Sequence, residues 1–307
     1  MFGVWLVFFT WGAIAVFLLV LSCRVLAMAR LPLHLRWELA PIPGEKAKGS
    51  QGGSFLEEYE WWTRPRKKSA IDPLIYMAWE IFLLRGVWKH NRSLWPLSLA
   101  LHAGLYLSAG ALCFQGLSLI LSASDSGAAL AGICLDIASP VAFCAFLFGT
   151  LGAAGLLLKR ALDAELRCAT RRGAYFNLLL LAAVFSSGLW ARLASSDAAR
   201  DVDGFLRALA GFQGECEIAS PLVLHAALVS LFLICLPFTS MIHFAAKYFT
   251  YHHVLWNDRP LDGRMERKVS GLLSQPVEWM SGRARSGSRG SWAEIALEKA
   301  ENEKTQP

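Results

Sequence analysis

An all-α membrane protein, a bundle of five transmembrane helices with its N-terminus outside and its C-terminus cytoplasmic, is the fold class that three features of this sequence predict. The chain of 307 residues is 55% apolar and only 18% charged, with 12 Trp and 18 Phe, too apolar a balance for a soluble domain of this size. Five of its apolar stretches are long enough to cross about 30 Å of hydrocarbon. Its Lys and Arg residues are shared very unequally among the segments between those stretches.

The first stretch, about 2–23 (FGVWLVFFTWGAIAVFLLVLSC), lacks a basic n-region and outruns the apolar core of a signal peptide, so it is read as a retained span. The others are 95–121, 138–158, 174–191 and 220–246, each closed by polar or turn-forming residues. Segment 24–92 carries 12 Lys and Arg, the 159–172 connection 5 and the chain after Ala246 another 10. Between spans two and three there are none, and the 192–218 loop has 3 beside Asp197, Asp201, Asp203, Glu215 and Glu217. This asymmetry puts the N-terminus outside a cell (inner) membrane that the chain crosses several times. The net charge of +6 is then a topology signal and points to no nucleic acid. Residues 1–256 read as one membrane domain that includes a cytoplasmic loop, 24–94, and residues 257–307 as a basic cytoplasmic tail, partly flexible.

The long loop is too short and too weakly patterned for a domain of its own. It opens with LPLHLRWELAPIPG, passes a Gly/Ser-rich GSQGGS and FLEEYEWWTRPRKKS, and ends in DPLIYMAWEIFLLRGVWKHN. In that last stretch Leu74, Met77, Ile81, Leu84 and Trp88 recur at helical spacing and predict one amphipathic helix. Trp37, Trp61, Trp62, Trp79 and Trp88, interleaved with Arg and Glu, suit a surface at headgroup level or one that docks a partner subunit. The tail's WAEIALEKAENEKTQP predicts a short exposed helix. The seven cysteines contain no CxxC and no CxxCH, which excludes an iron–sulfur cluster, a zinc ribbon or a covalently attached c-type haem in this chain. Cys134 and Cys216 both fall on the outer side and are available to pair.

Of seven histidines, His102, His225 and His243 lie in predicted spans. An ionisable side chain in hydrocarbon is costly and faces the bundle interior with a partner, so each is a candidate site residue; the alternative is a hydrogen bond to a neighbouring helix. His225 and His243 are eighteen residues apart, five helical turns at about 100° per residue, so one continuous helix would point both the same way about 27 Å apart. Counted from the cytoplasmic ends of their spans, His102 lies about 10 Å deep and His243 about 6 Å. The match lets one iron sit between two imidazoles as a low-spin b-type haem. Small neighbours of His102 (Ala103, Gly104, Ser108, Ala109, Gly110) leave room for a flat macrocycle, or serve close helix packing. At the depth of His225, span two reads Leu112, Cys113, Phe114, Gln115 and Gly116, with no histidine. Three arrangements stay open: a second haem held by His225 alone and high-spin, a haem whose sixth ligand is water or another side chain, or no second haem and a structural or quinone-binding His225.

The run HAALVSLFLICLPFTSMIH, with its Pro237-Phe238 step between two histidines, resembles the last span of the nitrate reductase gamma-subunit family, and LHAGLY around His102 resembles that family's first ligand site. The resemblance, over about residues 1–255, implies a five-span cytochrome b with the N-terminus outside, in which His102 pairs with His243. It also implies a second histidine ten residues after His102, where this chain has Leu112. The segments LHLRWELAPIPGE, GGSFLEEYEWWTRPR and GVWKHNRSLWPLSLALHAGLYL are more similar to the cytochrome b subunits of sulfate-reducer transmembrane redox complexes that work beside heterodisulfide-reductase-like iron–sulfur subunits. Such relatives exchange electrons with menaquinone and a cytoplasmic iron–sulfur protein, some also with a periplasmic multihaem cytochrome c.

The function expected is therefore that of an electron-transfer subunit of a quinone-linked oxidoreductase complex in anaerobic respiration, not a stand-alone catalyst. Haem b would be its cofactor, one copy at His102 and His243 with a second open at His225, and quinone its exchangeable partner. No acid–base or nucleophilic constellation is visible. The alternative is a cofactor-free membrane anchor or transporter subunit whose histidines hydrogen-bond between helices.

Overall fold

The computed structural model describes residues 2–32, 41–43, 45, 54–59, 69, 71–195, 197–211, 220–251, 263–276 and 290–294. Its named elements are helical, and an isolated bridge joins Pro276 and Ser291. Five segments have the length and apolar content to cross a membrane: Gly3–Ala29, Trp95–Leu121, Asp125–Leu162, Arg172–Ala194 and Ser220–Phe238. The chain is a multi-pass membrane protein.

Helix α1 (Phe2–Ala29) continues past the predicted span because Arg24–Ala29 are good helix formers. After it, α2 (Ile71–Phe82) and α3 (Arg85–His90) replace the single amphipathic helix that the spacing predicts. The break is at Leu84, whose φ of 49° is a left-handed conformation that a leucine rarely adopts. The buried Glu80 carboxylate fixes it by accepting the Gly86 amide at 2.9 Å; a Cβ on Gly86 would lie 2.9 Å from that carboxylate. Leu84 is buried, while Leu74, Ile81 and Trp88 stay exposed. Trp37, Trp61, Trp62 and Cys216 lie outside the described residues, as do His34, His252 and His253.

Helix α4 (Trp95–Leu121) matches its predicted span, with Pro96 in its first turn, where no amide is lost to the helix. Helix α5 (Ala128–Leu162) is longer than predicted: Pro140 removes one hydrogen bond, but the Ala, Gly and Leu residues around it carry the helix through. The two pack closely because Gly104 faces Gly149; a Cβ on Gly104 would come within 2.6 Å of that backbone. The short α6 (Ala164–Ala169) leads into α7 (Arg172–Ala194), where Phe185 is 2% exposed. Helix α8 (Ala198–Ala210) was hidden in the acidic loop; it is amphipathic, burying Phe205 and Ala208, and Arg207 holds Asp203 at 2.7 Å and Ser122 at 2.8 Å.

The fifth span departs most from its sequence reading. Helix α9 (Ser220–Cys235) ends before Pro237, two 3-10 turns follow (Leu236–Phe238 and Ser240–Ile242), and α10 (His243–Thr250) starts at the histidine. Proline lacks the amide and its ring crowds the carbonyl four residues back, and Thr239 is extended at φ −109°, ψ 177°. The continuous helix 220–246, and with it the alignment of His225 and His243 on one face, is therefore corrected. In the basic tail, α11 (Gly263–Leu273) is a helix the sequence reading did not foresee.

Two buried clusters share no residue. One joins α4, α5 and α7 through Leu101, Ala153, Leu156, Leu178, Leu181 and Phe185. The other joins α1, α8 and α9 through Leu6, Val7, Phe205, Ala208 and Ala226. Helix α7 packs on both α5 and α9 and so bridges the two clusters, leaving a slot lined mainly by α4, α5, α7, α8 and α9.

Candidate functional site

His102 of α4 and His243 of α10 meet outside the slot, beyond its Leu105 end, with ring centres 6.3 Å apart and planes inclined at 63°. Each ring has its Nδ1 fixed by a backbone carbonyl: His102 to Ser98 at 2.7 Å, His243 to Ser240 at 3.0 Å. A carbonyl only accepts, so both Nδ1 atoms carry the proton and both Nε2 atoms present a lone pair. An imidazole nitrogen about 2 Å from a metal ion has its ring centre on the order of 3 Å from it, so two imidazoles on opposite sides of one ion stand about 6 Å apart. The pair fits that arrangement.

Further bonds hold the pair in place. Asn177 of α7 donates to the Ser240 hydroxyl at 3.0 Å, tying the turn before His243 to the bundle. One helical turn after His243, Lys247 pairs with the buried Glu80 at 2.8 Å, which fastens α10 to the α2–α3 corner. Tyr106, 6.2 Å from His102 ring to ring, donates to the Ile81 carbonyl at 2.7 Å and joins α4 to α2. Tyr251 donates to Tyr76 at 3.2 Å, and burial first, then that hydrogen bond and the Glu80 charge, hold its phenol above its ordinary range, so it stays a neutral donor. Arg85, Lys89, Arg92, Lys159 and Lys247 all belong to segments at this end, and Lys159 donates to the Ser93 carbonyl at 2.9 Å. Sequence reasoning found the two histidines and missed Glu80 and Lys247, 167 positions apart. A lone acidic residue in an apolar stretch, and a lysine four residues after a candidate ligand, were the available signals.

His225 is not part of this pair. It lies on α9, its Nδ1 3.1 Å from the Ser187 hydroxyl and its ring edge-on to Phe146 at 5.1 Å. It lines a cavity of about 490 Å³ that occupies the slot toward α8, with Leu105, Ser108, Leu112 and Gln115 of α4 opposite. Leu112, at the position where a second histidine was implied, offers no lone pair. Among the described residues no group of three or more His, Cys, Asp or Glu side chains could hold a metal ion. A facing pair suits a metal whose other positions come from a macrocycle. The small residues near His102 divide their work: Gly104 serves helix packing, whereas Ser108 and Ala109 line the cavity.

Fold and site together define the class: a multi-pass helical membrane protein in which two imidazoles from different helices meet edge-on. The sequence model of the nitrate reductase gamma subunit family matches residues 126–258, which include His225 and His243 but not His102; over that stretch the chain is similar to the family. That family is one of haem-binding membrane cytochrome b subunits. The comparison with heterodisulfide-reductase-associated subunits gains no support from this match. No curated protein matches the chain.

Proposed function

We propose that this protein is the haem b-carrying membrane subunit of a quinone-linked anaerobic respiratory complex, exchanging electrons between the quinone pool and a cytoplasmic iron–sulfur subunit. The observation that carries the reading is the His102–His243 pair, with Nδ1 of each ring held by a carbonyl and Nε2 of each left to bind. When bound, haem b supplies a one-electron couple. The chain's own part would be to hold it: His102 and His243 would bind its iron through Nε2, while Ser98 and Ser240, the latter tied to Asn177, fix ring orientation, as outer partners of metal-bound histidines do. Glu80 and Lys247 brace the segment that carries His243.

The basic end is assigned to the cytoplasm, which places the N-terminus outside. There the α2–α3 corner, with exposed Trp79 and Trp88, offers the docking surface for the iron–sulfur partner. Residues 1–256 form the membrane domain and 257–307 a tail in the same compartment. Menaquinone is the quinone, and a periplasmic multihaem cytochrome c a further partner of such complexes. His225 is the third candidate ligand: a haem bound there would have one imidazole, since Leu112 faces it across the cavity, and would be high-spin.

The test is haem-to-protein stoichiometry and a reduced-minus-oxidised spectrum on the full chain from a haem-replete host. A low-spin b-type band that disappears in both His102→Ala and His243→Ala is the expected result. Folded chain without haem would overturn the reading in favour of a cofactor-free anchor.

A further inference from the structure

We propose that α11 and Trp292 beside its end form a membrane-surface anchor, a basic amphipathic helix that lies in the interface of an anionic lipid leaflet. The inference goes beyond the preceding reading and does not depend on haem.

The pattern of the helix is the first observation. At about 100° per residue, Val269, Leu272 and Leu273 fall within one arc of about 100°, and Arg264, Arg267 and Lys268 fall within another. Three cations stand against one carboxylate, Glu266. The apolar arc is uncovered: Leu272 is 52% exposed and Leu273 44%. A helix of 11 residues that includes Gly263 and Gly271 is too short to hold itself in water, so it needs a surface against which to lay that face.

The chain beyond α11 adds the second observation. Pro276 pairs with Ser291, and the Trp292 amide donates to the Gln275 carbonyl at 3.4 Å. The Ser291 amide donates to the Glu294 carboxylate at 2.8 Å, and the Glu294 amide donates to the Ser291 hydroxyl at 3.3 Å. This reciprocal cap starts a helical turn and sets Trp292 next to the Leu272–Leu273 end of α11. Trp292 is 47% exposed, and tryptophan is a side chain that settles at headgroup level. Between the paired strands of chain, the sequence adds Arg283, Arg285 and Arg289 against Glu278.

Charge and tether together select lipid as the occupant. Helix α11 is joined to the fifth span through α10 and residues 251–262, which reach at most about 40 Å. The membrane that the chain crosses is therefore always close by, at high effective concentration. An anionic leaflet supplies the negative charge that the basic arc calls for, and each cation held near it strengthens binding by roughly fivefold. The apolar arc and Trp292 then sink to the level of the headgroups while the cations stay at the phosphates.

The test is backbone hydrogen–deuterium exchange on the full chain in two kinds of nanodisc, phosphatidylcholine alone and equimolar phosphatidylcholine and phosphatidylglycerol. Amides of residues 263–273 should exchange about fivefold or more slowly in the anionic discs, and the difference should vanish in about 0.5 M salt. The double variants Arg267→Glu/Lys268→Glu and Leu272→Ser/Leu273→Ser should each restore the rate seen in neutral discs, with exchange in α5 and α7 unchanged as the sign of an intact bundle. Equal exchange in the two discs overturns the assignment: fast in both leaves the face to a protein partner, and slow in both means that the chain itself covers it. Protection that survives Leu272→Ser/Leu273→Ser also overturns it, because charge alone would then hold the tail with no helix seated in the interface.

Discussion

The His102–His243 pair and the slot beside it both draw on α4 and the fifth span, yet they present different chemistry. At the His243 end the fifth span breaks, a histidine heads the new helix, and a second imidazole on α4 faces it at 6.3 Å. Toward α8 the fifth span is an unbroken helix, its histidine is bonded to Ser187, and the facing residue is a leucine. One end is a pair of imidazoles, the other an open cavity with a single imidazole. A ligand site in a helical bundle is therefore set by paired positions on facing helices; either member alone leaves a space of another kind.

The largest expected effect comes from removing the clamp. His102→Leu or His243→Leu should abolish the low-spin haem spectrum, while His225→Leu leaves it intact; equal losses in all three would mean that the ends are not distinct. Next comes making the ends alike. Leu112→His places a second imidazole in the cavity wall with His225, so haem content should rise from one toward two per chain; unchanged haem content would mean that the cavity cannot accept a macrocycle. A third variant tests the frame common to both ends. Gly104→Leu forces a side chain against the Gly149 backbone and should lower stability by about 1–3 kcal/mol in thermal unfolding, with loss of signal at both ends. The smallest effect is confined to the clamp: Glu80→Gln removes the ion pair to Lys247 and should cost roughly 1 kcal/mol, since the lysine is partly exposed.

The five spans were legible because hydropathy and length suffice to mark a helix that must satisfy its own backbone in lipid. The His102–His243 pairing was legible because depth along a helix follows from counting residues. The break after Cys235 was not, since prolines inside membrane helices are tolerated as often as they interrupt, and α5 runs straight through Pro140. The Leu84 corner depends on Glu80 reaching the Gly86 amide, and the Glu80–Lys247 pair joins residues far apart in sequence; neither follows from local pattern. Helix α8 was obscured by its charges, which form one face only. In the sequence Gln115 is simply a non-histidine at the depth of His225, and the burial of its amide oxygen follows only from the packing of neighbouring helices.

The buried interior divides into two clusters with no common residue, and Phe232 of α9 packs against the first. The first is built from α4, α5 and α7, which lie near one another in the chain, whereas the second sets Leu6 and Val7 of α1 against Phe205 and Ala226, far later in the chain. During synthesis the inner face of α1 therefore stays uncovered until α8 and α9 have been made.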